Sequence, residues 1–287
     1  MLTIASGDTV LVETQDAHCG TITSSDVVYA TLSDVLERIG GANPVTGPIA
    51  IDGVLPGDLL AIEVLDVIGA PVTGFGYMNT TSTLHPSFDA ETTMCRRNGE
   101  VVEIPTHRGP VRVPYHPFVG TLGVARADAA VASFLQGSDI LGNVDLPELC
   151  QGCTVVLRAN VAGGMVSLGD AHLAQGDAEI HRSAVETQAD VTLRITNLGA
   201  HAMAYPGLPQ INTPETLGSV APGPGHLEDL VRAAYDDLAA RMRDDYGFTL
   251  PEAYRLLGAV GTVRIGQVVP PVYSAIAKID RRYLVCG

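Results

Sequence analysis

Apolar and polar residues alternate along TVLVETQDA, residues 9–17, the period-two signature of a half-buried strand. PIAID (48–52), LLAIEVLDV (59–67), TVVLRAN (154–160) and DVTLRITN (190–197) are further short runs rich in Val, Ile, Leu or Thr. Turn residues such as Pro56 to Asp58 separate them. The spacing is irregular and Gly and Pro are frequent, which predicts a sandwich or open barrel rather than βαβ units. One short helix is expected over SDVLERIG, with Ser33 as N-cap and Gly40 and Gly41 as the stop.

The pattern changes after APGPGH, residues 221–226. Leu227, Leu230, Val231, Ala234, Leu238, Ala239 and Met242 recur at three- and four-residue steps, which predicts an amphipathic helix ended by Gly247. Thr249 and Glu252 form a capping box for a second helix, PEAYRLLGAV. TVRIGQVV and VYSAIAKI follow as two closing strands. The expected fold is mainly β: a sandwich- or barrel-like body over residues 1–220, with an α+β C-terminal unit, 221–287, packed on it. Residues 71–115 are polar and turn-rich and fit a long hairpin or a surface flap. Long irregular connections of that kind often border active sites.

Composition narrows the functional classes. Seventeen Lys and Arg against 32 Asp and Glu give a net charge of −15 over 287 residues, which disfavours nucleic acid and anionic membranes as partners. No apolar run reaches the roughly 18 residues of a membrane span. The N-terminal residues show no basic, signal-like start, so a cytoplasmic protein is expected. The five Cys do not form a disulfide framework, and the single CxxC, Cys150 to Cys153, lacks the second pair of a zinc ribbon. It reads as two small residues in a turn before a strand. No GxSxG elbow occurs. A Cys nucleophile, with Cys19 next to His18 or with Cys150 and Cys153, is the rival chemistry. Sequence neighbours on a strand face opposite ways, which counts against the first pair.

The densest chemistry lies in SLGDAHLAQGDAEIH, residues 167–181. Asp170 and His172 stand at i and i+2, so on an extended segment both face the same side, and a carboxylate with an imidazole suits Zn²⁺ or a similar divalent ion. Asp177 and Glu179 repeat the spacing. Gly-Asp pairs are also ordinary turn chemistry, so the pattern alone leaves a metal site, an acid–base site and a simple turn all open. Asn143 and Asp145, after Gly142, read from pattern alone as an Asx-type turn.

At these residues the chain resembles the acetamidase/formamidase family. GGMVSLGDAHLAQGDAE is similar to that family's signature. ANPVTGPIAIDGVLPGDLLAIEVLDV, HPFVGTLGVA, GNVDLPEL and LPEAYRLLGAVGTVRIGQVV resemble its other blocks, in order along most of the chain. The resemblance implies hydrolysis of small carboxamides to a carboxylate and ammonia, with lactam opening in some relatives. It also implies a homodimer or larger homo-oligomer and a bound divalent metal, zinc being expected. Carried over by position, Asp145, Asp170 and His172 form the metal shell and Glu179 is the acid–base residue. Asn143 and Gln175 are expected to hydrogen-bond the amide, and His116 to line the pocket. His18, Asp16, His85, His107 and His181 are weaker candidates, with Asp16 an additional ligand; His201 and His226 are expected to be structural or at the surface.

There are departures from the family pattern. Family members often carry His-Gly-Gly before the Asn-x-Asp segment, whereas residues 140–142 here are Ile, Leu and Gly. Ala178 stands where Gly is usual, and Arg126 where Pro often follows GVA. A lactam or other cyclic-amide hydrolase, and a non-catalytic metal- or ligand-binding homologue, are the alternatives these departures keep open.

Overall fold

The computed structural model describes residues 1–70, 75–79, 89–200, 207–269 and 272–284. Among them the first strands are β1 Leu2–Ile4, β2 Thr9–Thr14, β3 Val45–Ile51 and β4 Leu59–Gly69. There follow β5 Phe75–Asn79, β6 Thr92–Asn98, β7 Val101–Ile104, β8 Val111–Pro114 and β9 Phe118–Gly123. The centre of the chain forms β10 Gln136–Gly137, β11 Leu141–Asn143, β12 Thr154–Arg158, β13 Val166–His172 and β14 Glu186–Thr187. The last strands are β15 Ala189–Gly199, β16 Gln210–Asn212, β17 Thr216–Pro224, β18 Thr262–Ile265 and β19 Val272–Asp280. Three α-helices are α1 Leu32–Ile39, α2 Leu227–Tyr246 and α3 Leu250–Val260.

The strands form two sheets. One runs β10-β11-β9-β13-β14-β5-β6-β7-β8, with β3 also paired to β13 and β1 to β3. The other runs β18-β19-β17-β16-β12-β4-β15-β2. The mainly β architecture expected from the period-two runs is therefore present, and each run quoted above contains a strand. On β15, Ala189, Val191, Leu193 and Ile195 are buried while Asp190 and Arg194 between them are exposed. These apolar residues meet Leu60 and Ile62 of β4 and, from the other sheet, Leu122, Leu141, Val166 and Leu168 in one core. Each fully buried Leu or Ile there contributes about 1.5–3 kcal/mol.

The C-terminal helices cover the outer face of the second sheet. Ala234, Leu238, Ala239 and Met242 of α2, with Ala253 and Leu257 of α3, pack on Leu217, Ala221, Ala277 and Ile279. Ile276, one residue along β19, turns to the sandwich core instead. α2 stops where expected, at Gly247 with φ 76°, and the Thr249 amide donates to Glu252 Oε2 at 2.8 Å at the start of α3.

Three expectations are adjusted. The division at residue 220 falls inside β17, which pairs with β19 from Thr216↔Asp280 to Pro224↔Val272, so these C-terminal strands continue the body's sheet. Pro222 and Pro224 are tolerated because β16 pairs with β17 only at Ser219, and beyond the bond from the Val220 amide to the Pro209 carbonyl the strand has β19 as its hydrogen-bonded neighbour among the described residues. The N-cap of α1 is Thr31, not Ser33. Asp34 stands three residues after Thr31, and each side chain bonds the other's backbone amide, whereas Ser33 would face apolar Leu36 at that position. Within 71–115, β5 to β8 form an antiparallel meander at the sheet edge, joined to β14 by Glu186↔Tyr77. Residues 71–74 and 80–88, including His85, lie outside the described residues, as does His201.

Candidate active site

The site is built around a glycine in β9. The Gly120 carbonyl accepts from the amides of both Val144 and Asp145, at 3.1 and 3.2 Å, which turns the chain after β11 and presents the Asp145 carboxylate. A Cβ on Gly120 would stand 2.6 Å from Asp145 Oδ1 and 2.7 Å from the Asp170 carbonyl. Asp145 (φ 48°), Asp170 (φ 59°) and Glu179 (φ 42°) all have left-handed backbones. Non-glycine residues in this region cost of order 1–3 kcal/mol each and persist only where the surroundings over-determine them.

Asp170 and His172, two apart on β13, do reach one place, with His172 Nε2 3.5 Å from Asp170 Oδ1. Antiparallel β14 sets Glu186 directly opposite His172, and Glu186 Oε2 lies 3.2 Å from the same nitrogen. The 3₁₀ turn Asp177–Glu179 adds Glu179. Ligand-type atoms of Asp145, Asp170 and His172 lie within 4.8 Å of one another, as do those of His172, Glu179 and Glu186. All five side chains are buried. Glu186 has no local signal in the sequence; strand pairing across the loop brings it in.

Much of this cluster is left without hydrogen-bond partners. Among the described residues, Asp145 Oδ1, Glu186 Oε2 and His172 Nε2 are buried without a hydrogen bond, and His172 Nε2 has only its ion-pair contacts with Asp170 and Glu186. His172 Nδ1, whose ring meets Phe118 edge-on, has no partner either. Buried polar groups are normally satisfied. Carboxylate and imidazole atoms converging in this way could hold a divalent cation.

The remaining oxygens are held in place. Asn43 Nδ2 donates to Asp170 Oδ2 at 2.7 Å and to Asn143 Oδ1 at 3.2 Å. The Thr121 hydroxyl donates to the same two oxygens. Asn143 Nδ2 donates to Asp145 Oδ2 at 3.0 Å, and Ala184 N–H to Glu186 Oε1 at 3.0 Å. Partners of this kind typically change metal affinity by about 10–100-fold. Asn143→Ala is expected to weaken divalent-metal binding by about that factor, measured by competition with a chromophoric chelator; unchanged affinity would show that Asp145 needs no orientation from Asn143.

Electrostatics point the same way. Burial, reinforced by the Asp170 carboxylate, raises the pKa of Asp145 well above the carboxylate range. Burial and the Asp145 carboxylate do the same to Glu179, and burial raises Glu186. Burial alone would depress His172, but Glu186 and Asp170 outweigh it and raise its pKa. A pKa raised on folding supplies stability that is present at low pH and lost as pH rises through the folded value, and all four groups share that sign. Metal competes for the deprotonated forms. The Tm difference between metal-loaded and chelator-treated protein should therefore widen from pH 5 to pH 8 in thermal unfolding scans. A constant difference would contradict ligation by these groups.

The cluster opens to a cavity of about 220 Å³ lined by Asp170, Glu179, Glu186 and Asn143 together with residues of the segment between β2 and β3. His18 lines it too, stacked on Tyr29 at 5.4 Å, and burial lowers its pKa. Other expected site residues fall elsewhere. His116 is exposed, its Nε2 3.1 Å from the Pro147 carbonyl, and it is not among the residues lining the cavity, so it is corrected from pocket wall to surface strut. The Gln175 amide donates to the carbonyls of Asp145 (2.7 Å) and Gly266 (3.1 Å); its NH₂ supports the Asp145 turn instead of facing an amide substrate. Asp16 accepts from the amides of His18 and Gly20, a local turn. Asp177 pairs with Arg264 at 2.9 Å. Burial raises the pKa of Cys19, Cys95, Cys150 and Cys153, which opposes a thiolate nucleophile among the described cysteines.

Residues 1–141 and 131–275 match a family model described as the acetamidase/formamidase family, which together cover nearly the whole chain. The chain belongs to the acetamidase/formamidase family. The crystal structure of an acetamidase from Bacillus halodurans is 28% identical with a TM-score of 0.87, covering 99% of this chain and 92% of that one. An acetamidase from Yersinia enterocolitica is 30% identical with a TM-score of 0.85, covering 99% and 86%. A formamidase from Methylophilus methylotrophus is 26% identical over 230 residues, 62% of this chain and 56% of that protein, so the chain spans little more than half that relative's length.

Two departures from the acetamidase/formamidase pattern now have a structural setting. Ile140 lines a separate cavity of about 440 Å³, away from the carboxylates, and Leu141 is buried in the sandwich core at φ 68°. Ala178 sits at φ 74°, ψ 0°, a conformation that glycine takes without steric cost. Ala178→Gly should stabilise the protein by about 1 kcal/mol, a Tm rise of about 2 °C by calorimetry, whereas a fall would mean that the turn is not left-handed.

Proposed function

We propose that the chain is a metal-dependent hydrolase that cleaves the C–N bond of a small non-peptide carboxamide, giving a carboxylate and ammonia. The observation that carries this is the buried convergence of Asp145, Asp170, His172, Glu179 and Glu186, with unpaired ligand atoms, at a cavity floor in a chain of this family. Asp145, Asp170 and His172 hold the divalent ion, zinc by their chemistry, with Glu186 within reach as a further ligand. When bound, such an ion supplies Lewis acidity toward an amide carbonyl and toward water.

The chain's own residues do the rest. Glu179 lines the cavity and has its pKa raised by burial toward the working range of an acid–base group. It takes a proton from the attacking water and delivers it to the amide nitrogen as the C–N bond breaks; the products are RCOO⁻ and ammonium. Asn43, Thr121 and Asn143 keep the Asp145 and Asp170 oxygens oriented throughout. The proposal includes the homo-oligomeric state and cytoplasmic location expected from the sequence.

Ammonia release from formamide, acetamide and a γ-lactam, before and after chelation and after zinc is restored, tests the reading. Release from a linear amide, lost on chelation and regained with zinc, is the expected result. Release from the lactam alone would make the chain a cyclic-amide hydrolase, and metal binding with no release would leave a binding protein.

A further inference from the structure

The cavity over the cluster is far larger than formamide or acetamide requires. At about 30 Å³ per water-sized group, its volume of about 220 Å³ holds about seven non-hydrogen atoms. Formamide has only three and acetamide four.

Its walls are apolar where they leave the carboxylates. Ala17, Tyr29, Val35, Ala42, Leu135 and Val272 line it. Tyr29 and Val35 belong to a small core of their own with Ile22, so this wall is a packed part of the structure. The Tyr29 hydroxyl donates to Thr21 Oγ1 at 3.0 Å and is already engaged. Both amide protons of Asn43 go to Asn143 and Asp170, and Gln267 Nε2 donates to the Asn143 carbonyl at 2.7 Å. Of the other polar residues lining this space, Thr31 is engaged with Asp34 at the start of α1 and His18 stacks on Tyr29, while Arg182, whose amide donates to the Glu179 carbonyl at 3.0 Å, belongs to the carboxylate end.

We infer that this cavity is an acyl-chain pocket, and that the preferred substrate is a primary carboxamide with an apolar acyl group of about four to six carbons. The inference rests on the amidase reading above and specifies its substrate class. The carboxamide lies at the Asp170, Glu179 and Glu186 end, and the hydrocarbon chain extends between the β2–β3 segment and Leu135 and Val272.

The test is kcat/KM for ammonia release along the series formamide, acetamide, propanamide, butanamide, pentanamide, hexanamide and octanamide. Each buried methylene should raise kcat/KM about fourfold up to pentanamide or hexanamide, with a fall at octanamide when the pocket is full. Ala42→Leu, which fills part of the pocket wall, should move the optimum to shorter chains, read as the ratio of kcat/KM for hexanamide to that for acetamide. A wild-type series that is flat or falls from acetamide onward overturns the acyl pocket while leaving the amidase reading intact. No ammonia from any member overturns both. A Ala42→Leu protein that fails to fold does not rescue the inference, because the wild-type series decides it alone.

Discussion

Glu179→Gln lowers kcat for the amide substrate by about 10²–10⁴-fold, with metal content and fold retained. The side chain is buried, and its pKa is raised by burial and by the Asp145 carboxylate, so in the metal-free protein a neutral amide of the same shape replaces a group that favours its neutral form. Stability should therefore change little. What is lost is proton transfer, since Gln can neither accept the water's proton nor deliver one to the leaving nitrogen. Single-turnover ammonia release measures the step, and elemental analysis with circular dichroism checks the rest. A variant with full turnover removes Glu179 from the chemistry and makes Glu186, the other carboxylate beside His172, the next residue to test.

Gly120→Ala is the second large effect, and it acts without replacing any titrating group. The new methyl would lie 2.6 Å from Asp145 Oδ1, 2.7 Å from the Asp170 carbonyl and 2.9 Å from Asp170 Oδ2. Backbone and two carboxylates of the cluster must move together to admit it. Overpacking of this kind costs about 1–3 kcal/mol, and a displacement near 1 Å in a catalytic group costs about 10²-fold in rate. The expected result is a folded protein with a lowered Tm, weakened metal binding and kcat/KM reduced at least about 100-fold. Wild-type metal affinity and activity in this variant would mean that Asp145 and Asp170 are not held against β9 in the working enzyme.

Period-two and three-to-four-residue spacings made the strands, the amphipathic stripe of α2 and its stop at Gly247 legible in the sequence. Asp170 and His172 were legible for the same local reason, being two apart on one strand. Glu186 was not, because only the register His172↔Glu186 places it there, and it lies fourteen positions along the chain from that histidine. Asn43 and Gly120 escaped for the same reason: one arrives from the loop before β3, and the other matters for the side chain it lacks. His116 was misplaced because adjacency to a family block says nothing about which way a residue faces. Asn143 lines the cavity, as a substrate contact would, and its NH₂ group also holds Asp145, a role that depends on residues two apart in sequence folding back on each other across a left-handed turn. The merging of β17 and β19 into the body's sheet was hidden by prolines that an unpaired strand side tolerates.

Anomalous diffraction at the zinc edge from crystals of the zinc-loaded protein tests the central claim most directly. A single peak within coordination distance of Asp145, Asp170 and His172 is the predicted result. An active, zinc-loaded crystal with no peak at that point, or with its peak elsewhere, would contradict it.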